Sequence, residues 1–301
     1  MPTRNPLGVH AGVFVGDWRD ASARYAIESA AATGYDLIEI PAVDRRDLDI
    51  AHTVRLLADN GLDAVVSLAL DAETDINTED PALSARGEAL LQNAVGFARD
   101  IGALYVGGVT YSAMVKYTRP PTTASRDNSI AVLRRVAEDA KASGITIGVE
   151  YVNRYESNLL NTAEQTVRFI GDIGAHNVIL HLDTFHANSE ELSLPAAVRD
   201  AGGLLGYIHA SESHRGLLGT GVLDFPALFA ALAASDYAGP VTFESFSSAV
   251  LPPATSSTIG LWRESWTDPV VAAAQANAFL RAGLSTAATS HSSTPTAKEQ
   301  P

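Results

Sequence analysis

Two kinds of segment alternate along the chain: short runs rich in β-branched and aromatic residues, and longer alanine-rich stretches of helical character. The short runs are GVHAGVF (8–14), LIEIP (37–41), DAVVSLAL (63–70), LYVGGV (104–109), TIGVEY (146–151), NVILHLD (177–183), LGYIHAS (205–211) and PVTFES (240–245). Between them, DASARYAIESAAATG ends on Gly34 and SRDNSIAVLRRVAEDAKASG ends on Gly144, the residue type that lets a helix stop in a left-handed turn. Gly61 and Gly102 close two more segments in the same way. Eight strands, each followed by a helix, predict an α/β fold of one domain, a (β/α)₈ TIM barrel. A doubly wound open sheet would carry G-x-G-x-x-G after its first strand, and no such loop follows the first run here.

The barrel is expected to span residues 1–285 of the 301. The remainder, 286–301, is rich in Ser, Thr, Ala and Pro without an apolar period and is expected to be a disordered tail. The absence of cysteine removes disulfides, thiolate metal sites and cysteine nucleophiles together, and fits a reducing cytoplasm. Neither a secretory leader nor an apolar run of about 18 residues is present, so no membrane association is expected. With 21 basic and 35 acidic residues the formal charge is −14. No basic cluster is available to neutralise phosphates, which argues against nucleic acid and for a small neutral substrate.

In such a barrel the chemistry lies where the strands end. The fifth run ends in Glu150, the sixth in Asp183, the seventh near His209 and the eighth in Glu244. Strand parity puts Thr146, Gly148 and Glu150 on one face, His181 with Asp183, and Thr242 with Glu244, opposite the more apolar neighbours that would pack on helices. A lone strand-end carboxylate more often caps the next helix, and a lone His is more often a satisfied polar residue. Three carboxylates and one imidazole at equivalent places on consecutive strands instead ask for a counter-ion. Oxygen-rich, sulfur-free ligation favours Mn²⁺, Mg²⁺ or Co²⁺ over a closed structural zinc. His181, two residues deeper than Asp183, is expected to be a hydrogen-bonded core histidine.

The segments VEYVNRYESNLLNTA (149–163), HLDTFHANSEE (181–191), HASESHRGLLGTG (209–221) and FESFS (243–247) resemble the ketose 3-epimerases acting on D-tagatose, D-allulose and L-ribulose, within the xylose isomerase-like barrels. The resemblance implies that Glu150, Asp183, His209 and Glu244 bind a divalent metal. It also implies that Glu150 and Glu244 form the acid/base pair, moving the C3 proton through a cis-enediolate. Glu156, His186 and Arg215 would hold the O1 to O3 end of the sugar, and Phe246 would line the pocket. Tyr111, Trp18 and Phe14, by their places after the fourth and first strands, are candidates to cover the far end. A homodimer or homotetramer is the assembly the resemblance implies.

Two other readings stay in view. An aldose–ketose or inosose isomerase could use the same barrel, separated here only by the NRYE and ESHRG segments. An endonuclease IV-like repair enzyme would require more metal-binding histidines and a basic face, which this acidic chain does not offer.

Overall fold

Residues 5–42 and 48–293 are described by the computed structural model of the chain. The eight apolar runs form eight parallel strands: β1 (Leu7–His10), β2 (Leu37–Pro41), β3 (Asp63–Leu70), β4 (Tyr105–Ala113), β5 (Thr146–Glu150), β6 (Val178–Asp183), β7 (Leu205–Ala210) and β8 (Val241–Phe243). They pair in chain order, and β8 returns to β1, closing the barrel. Around it lie α1 (Asp20–Ala32), α2 (Ile50–Asn60), α3 (Pro81–Ile101), α4 (Thr123–Lys141) and α5 (Ala163–Ile173). The circuit is completed by α6 (Thr184–Glu190), α7 (Leu194–Ala201), α8 (Phe225–Ala234), α9 (Pro253–Thr258) and α10 (Pro269–Ser293).

Local chemistry accounts for where the elements stop. Gly61 and Gly102, with φ of 63° and 81°, cap α2 and α3 in the left-handed region that suits glycine. Helix α4 opens with a reciprocal capping box between Thr122 and Ser125. The run GVHAGVF is strand only as far as His10, because the His10 Nδ1 accepts the Gly12 N–H at 2.9 Å and bends Ala11–Val13 into a 3₁₀ turn. At the other end β8 stops at Phe243, so Glu244 lies one residue past the strand, still tied to its neighbour by N–H donation to the Ala210 carbonyl at 3.1 Å. The expected tail from 286 is also revised: α10 continues as helix through Ser293, and residues 294–301 lie outside the described residues. Among the described residues no helix is long and apolar enough to cross a membrane.

Strand parity divides the core into two layers. Val9, Ile38, Ile40, Val66, Ile147, Val149, Leu180, Leu182 and Phe243 face outward into the large cluster shared with the helices. Leu37, Val65, Tyr105, Tyr207 and Ile179 fill the barrel interior, where the Tyr105 and Tyr207 rings stack with centroids 4.5 Å apart. Tyr105 fits there because the inward neighbours on β4 and β5 are glycines. A Cβ on Gly148 would lie 1.9 Å from the Tyr105 hydroxyl, and one on Gly107 would lie 2.1 Å from it. The interior is thus plugged from below, and the polar residues at the strand ends form a floor above the plug.

Candidate active site and metal centre

The register of the last four strands brings their ends to one level. Glu150 pairs with His181, Asp183 with His209, and His209 with Thr242. Because alternate residues share the inward face, Glu150, Asp183, His209 and Glu244 meet at the C-terminal mouth, all of them buried. Three sets of donor atoms within 4.8 Å of one another could each hold a cation: Asp183, His209 and Glu244; Glu150, His181 and His209; and Glu150, Asp183 and His186.

His209 is the centre of this group. Its Nε2 lies 2.8 Å from the Glu39 Oε2, so Nε2 carries a proton and donates it. Its Nδ1, buried and without a hydrogen-bond partner among the described residues, looks toward the carboxylates. Glu150 Oε1 is 3.4 Å away, Glu244 Oε1 3.5 Å and Asp183 Oδ2 4.0 Å. An orphaned imidazole nitrogen ringed by three carboxylates, with its other nitrogen tied to a fourth, is the donor set of a divalent cation, and these residues fit one. Asp183 also serves as the cap of α6, its Oδ1 accepting the Phe185 N–H at 2.6 Å. One oxygen of Asp183 thus holds the helix while the other faces the cluster.

Electrostatics separates the acids. Burial pushes the Glu150 carboxyl up to about 7, with the Glu244 and Asp183 charges adding to the rise and His209 opposing it. Burial also acts on Glu244, but the Arg215 guanidinium and then His209 outweigh it and hold its pKa below the ordinary value. For His209 burial disfavours charge, yet Glu39, Glu244 and Glu150 overcome it and raise the imidazole well above its ordinary range.

The loop after β7 carries Arg215 in the left-handed region, with φ of 61°. This conformation costs a non-glycine residue on the order of 1–3 kcal/mol. It is clamped from both sides: the Arg215 N–H donates to the Glu212 carbonyl at 2.8 Å, while its own carbonyl accepts from Ser245 Oγ at 2.6 Å and the Phe246 N–H at 3.2 Å. The side chain is thereby aimed inward, where Nη1 donates to Asp183 Oδ2 at 2.9 Å and also to Glu244 Oε2. The guanidinium lies 4.0 Å from the Phe185 ring centre and 5.5 Å from that of Phe246.

His186 completes this side. Its Nδ1 lies 2.9 Å from the Asn153 side-chain amide and 3.3 Å from the Asn153 N–H, while Nε2 turns to the guanidinium side. That nitrogen points toward Asp183 Oδ2 at 3.8 Å and Arg215 Nη2 at 3.1 Å. Burial lowers the His186 pKa to about 3 against the pull of Asp183, with Arg215 reinforcing the drop, so the ring is neutral. Glu156 Oε2 sits 3.7 Å from the Nδ1.

The structure therefore gathers Glu150, Asp183, His209, Glu244, Glu156, His186, Arg215 and Phe246 around one mouth. His181 makes the expected core hydrogen bond, its Nδ1 3.1 Å from the Tyr105 hydroxyl, and also packs edge-on against His209. Tyr111 departs from its expected place: it is fully buried, its hydroxyl donates to the Leu160 carbonyl at 3.0 Å, and its ring meets Phe169. Sequence reasoning misses Glu39, Asn153 and Phe185. Glu39 has a readable signal, since it is the one charged residue in LIEIP and shares the inward parity of Leu37.

The family described as xylose isomerase-like TIM barrel matches residues 27–271. An L-ribulose 3-epimerase of Methylomonas sp. strain DH-1 is 45% identical over 281 residues, covering 93% of this chain and 98% of the relative. A ketose 3-epimerase of Arthrobacter globiformis is 42% identical over 275 residues, 91% of this chain and 95% of the relative. A crystal structure of D-allulose 3-epimerase from Methylomonas sp. in complex with D-allulose superposes with a TM-score of 0.90 at 44% identity, covering 93% of this chain and 98% of that one. Barrel, strand-end acids and relatives agree: the chain belongs to the xylose isomerase-like TIM-barrel family and, within it, to the ketose 3-epimerases, which are isomerases.

Proposed function

We propose that the chain interconverts free ketoses at C3, among them D-fructose and D-allulose, D-tagatose and D-sorbose, and L-ribulose and L-xylulose. Glu150, Asp183, His209 and Glu244 hold a divalent cation, Mn²⁺ or Mg²⁺ with Co²⁺ as a substitute, whose Lewis acidity polarises the ketone and makes the neighbouring C–H acidic. Glu244, held ionised, takes the C3 proton from one face of the sugar, and Glu150, raised toward neutral pH, returns one to the other. Two groups are needed because a single base fixed on one face cannot invert the carbon. His186 and the Arg215 guanidinium donate to the sugar oxygens, Glu156 accepts, and Phe246 lines the pocket, so the ketose cannot turn between the two proton transfers.

The observation that carries this reading is the pair of glutamates flanking His209 Nδ1 at 3.4 and 3.5 Å with opposite pKa shifts, Glu150 raised to about 7 and Glu244 lowered. Two acids whose environments drive them apart suit the ionised one, Glu244, for taking a proton and the other, Glu150, for giving one near neutral pH. The relatives' names support the substrate class. A homodimer or homotetramer working in the cytoplasm is the proposed setting.

Incubation with D-fructose, D-tagatose and L-ribulose in the presence of Mn²⁺, followed by separation of the products, tests the proposal. C3 epimers are expected, and chelation should abolish their formation until Mn²⁺, Mg²⁺ or Co²⁺ is restored. An aldose product would move the activity to an aldose–ketose isomerase, and full turnover in exhaustively chelated protein would remove the cation from the reaction.

A further inference from the structure

We infer that Glu39, on β2 and outside the ligand set, is a positioning residue for the metal centre: by accepting the proton-bearing Nε2 of His209 it fixes the tautomer that presents Nδ1 as a ligand and raises that nitrogen's basicity. The inference deepens the metal-binding reading above and rests on it.

Glu39 is fully buried in the barrel interior. Its Oε2 accepts from the Tyr207 hydroxyl at 2.8 Å and from His209 Nε2 at 2.8 Å, while Oε1 has no hydrogen-bond partner among the described residues and lies 3.9 Å from His10 Nε2. The Tyr207 hydroxyl is itself 2.5 Å from Thr242 Oγ1, so the acceptor is held by a chain of groups from β7 and β8. A half-satisfied carboxylate in a barrel core is a poor stabiliser, and an apolar residue of similar volume would generally do as well or better. Its charge has a use only through what it touches. The imidazole it hydrogen-bonds, His209, turns its other nitrogen to Glu150, Asp183 and Glu244.

With a carboxylate at Nε2 the ring cannot flip or exchange tautomers without stranding that charge. Nδ1 is thereby the nitrogen left for a cation, and the negative charge behind the ring strengthens its donation. Strand parity makes the arrangement possible, since inward-facing Glu39 on β2 reaches His209 on β7 across the barrel interior rather than along one strand.

Co²⁺ binding to the full chain tests this independently of turnover. Affinity is read by competition with a chromophoric chelator, and ligand geometry by the visible d–d absorption. Glu39→Gln keeps the reach but removes the charge, and is expected to weaken Co²⁺ binding roughly 10–100-fold and to shift the absorption bands. Glu39→Asp keeps the charge but withdraws the carboxylate from Nε2; it is expected to lose affinity too, and it carries the test if the glutamine variant does not fold. Wild-type affinity with a wild-type spectrum in a folded variant overturns the role of Glu39 while leaving the metal centre standing. A wild-type protein that takes up no Co²⁺ overturns the metal centre itself and this inference with it.

Discussion

At the scale of single residues, the site works by giving chemically similar groups different surroundings. Glu150 and Glu244 are both buried and both face His209, yet only Glu244 has the Arg215 guanidinium against it. Replacing either by glutamine preserves shape and removes the ability to move a proton. Since positioned general acids and bases contribute about 10²–10⁴-fold, Glu150→Gln and Glu244→Gln should each lower kcat by at least about a hundredfold while the circular dichroism stays that of the wild type. Near wild-type turnover in either variant would end that residue's role in proton transfer. Asp183 shows why a sequence reading poses a false choice at such positions: a strand-end carboxylate is either a helix cap or a ligand on paper. In the fold, Oδ1 caps α6 while Oδ2 faces His209 and Arg215.

At the scale of elements, the strands supply level and direction, and the loops supply reach. The loop after β7 is the clearest case, because its anchor is Glu212, a buried carboxylate that touches none of the proposed ligands. Its Oε1 accepts the Ser213 N–H at 2.8 Å and its Oε2 the Gly219 N–H at 3.0 Å, which folds residues 213–219 back over their own start and sets Arg215 at its positive φ. Glu212→Ala removes the acceptor of three backbone donors, those of Ser213, Gly219 and, at 3.4 Å, Leu223, each bond contributing on the order of 1 kcal/mol. A displacement of about 1 Å at a substrate-holding group can cost on the order of 100-fold in rate. The variant should therefore lose kcat/KM, with faster amide hydrogen exchange confined to residues 213–223 and unchanged protection in the strands. Unaltered kinetics would show that Arg215 is aimed by other contacts. Elements of this kind are the least legible in sequence: eight apolar runs and their closing glycines announce the barrel, because strand parity and helix stops are local properties. The hold that Ser245 and Phe246 take on the Arg215 carbonyl is a contact between chain positions far apart, and only the HRG segment hints at it.

At the scale of the whole molecule, the barrel concentrates charge that its fold must hold together. Glu39, Glu150, Asp183 and Glu244 converge on one buried imidazole, with Arg215 as the nearest fixed cation. The parts of the site on β5 to β8 are legible because they lie at or beside the ends of their strands. Glu39 is not, because β2 runs on to Pro41 and parity, rather than position, is what marks it. Convergence of this sort should make a divalent cation a ligand of the native state alone, since the unfolded chain has no such gathering of donors. At a free Mn²⁺ concentration near 100 times its Kd, the gain is about 2.7 kcal/mol. Unfolding entropy grows at about 2.1 cal/mol/K per residue, so for a chain of this length the unfolding midpoint should rise by roughly 4–5 °C over chelated protein, as calorimetry would record. A chain of charge −14 could also gather cations loosely over its surface. Asp183→Asn separates the two causes, since asparagine can still cap α6 but removes one charged donor from the cluster. The Mn²⁺-dependent rise should shrink sharply in that variant if the cation sits at the strand ends, and should persist unchanged if it is only held by the acidic surface.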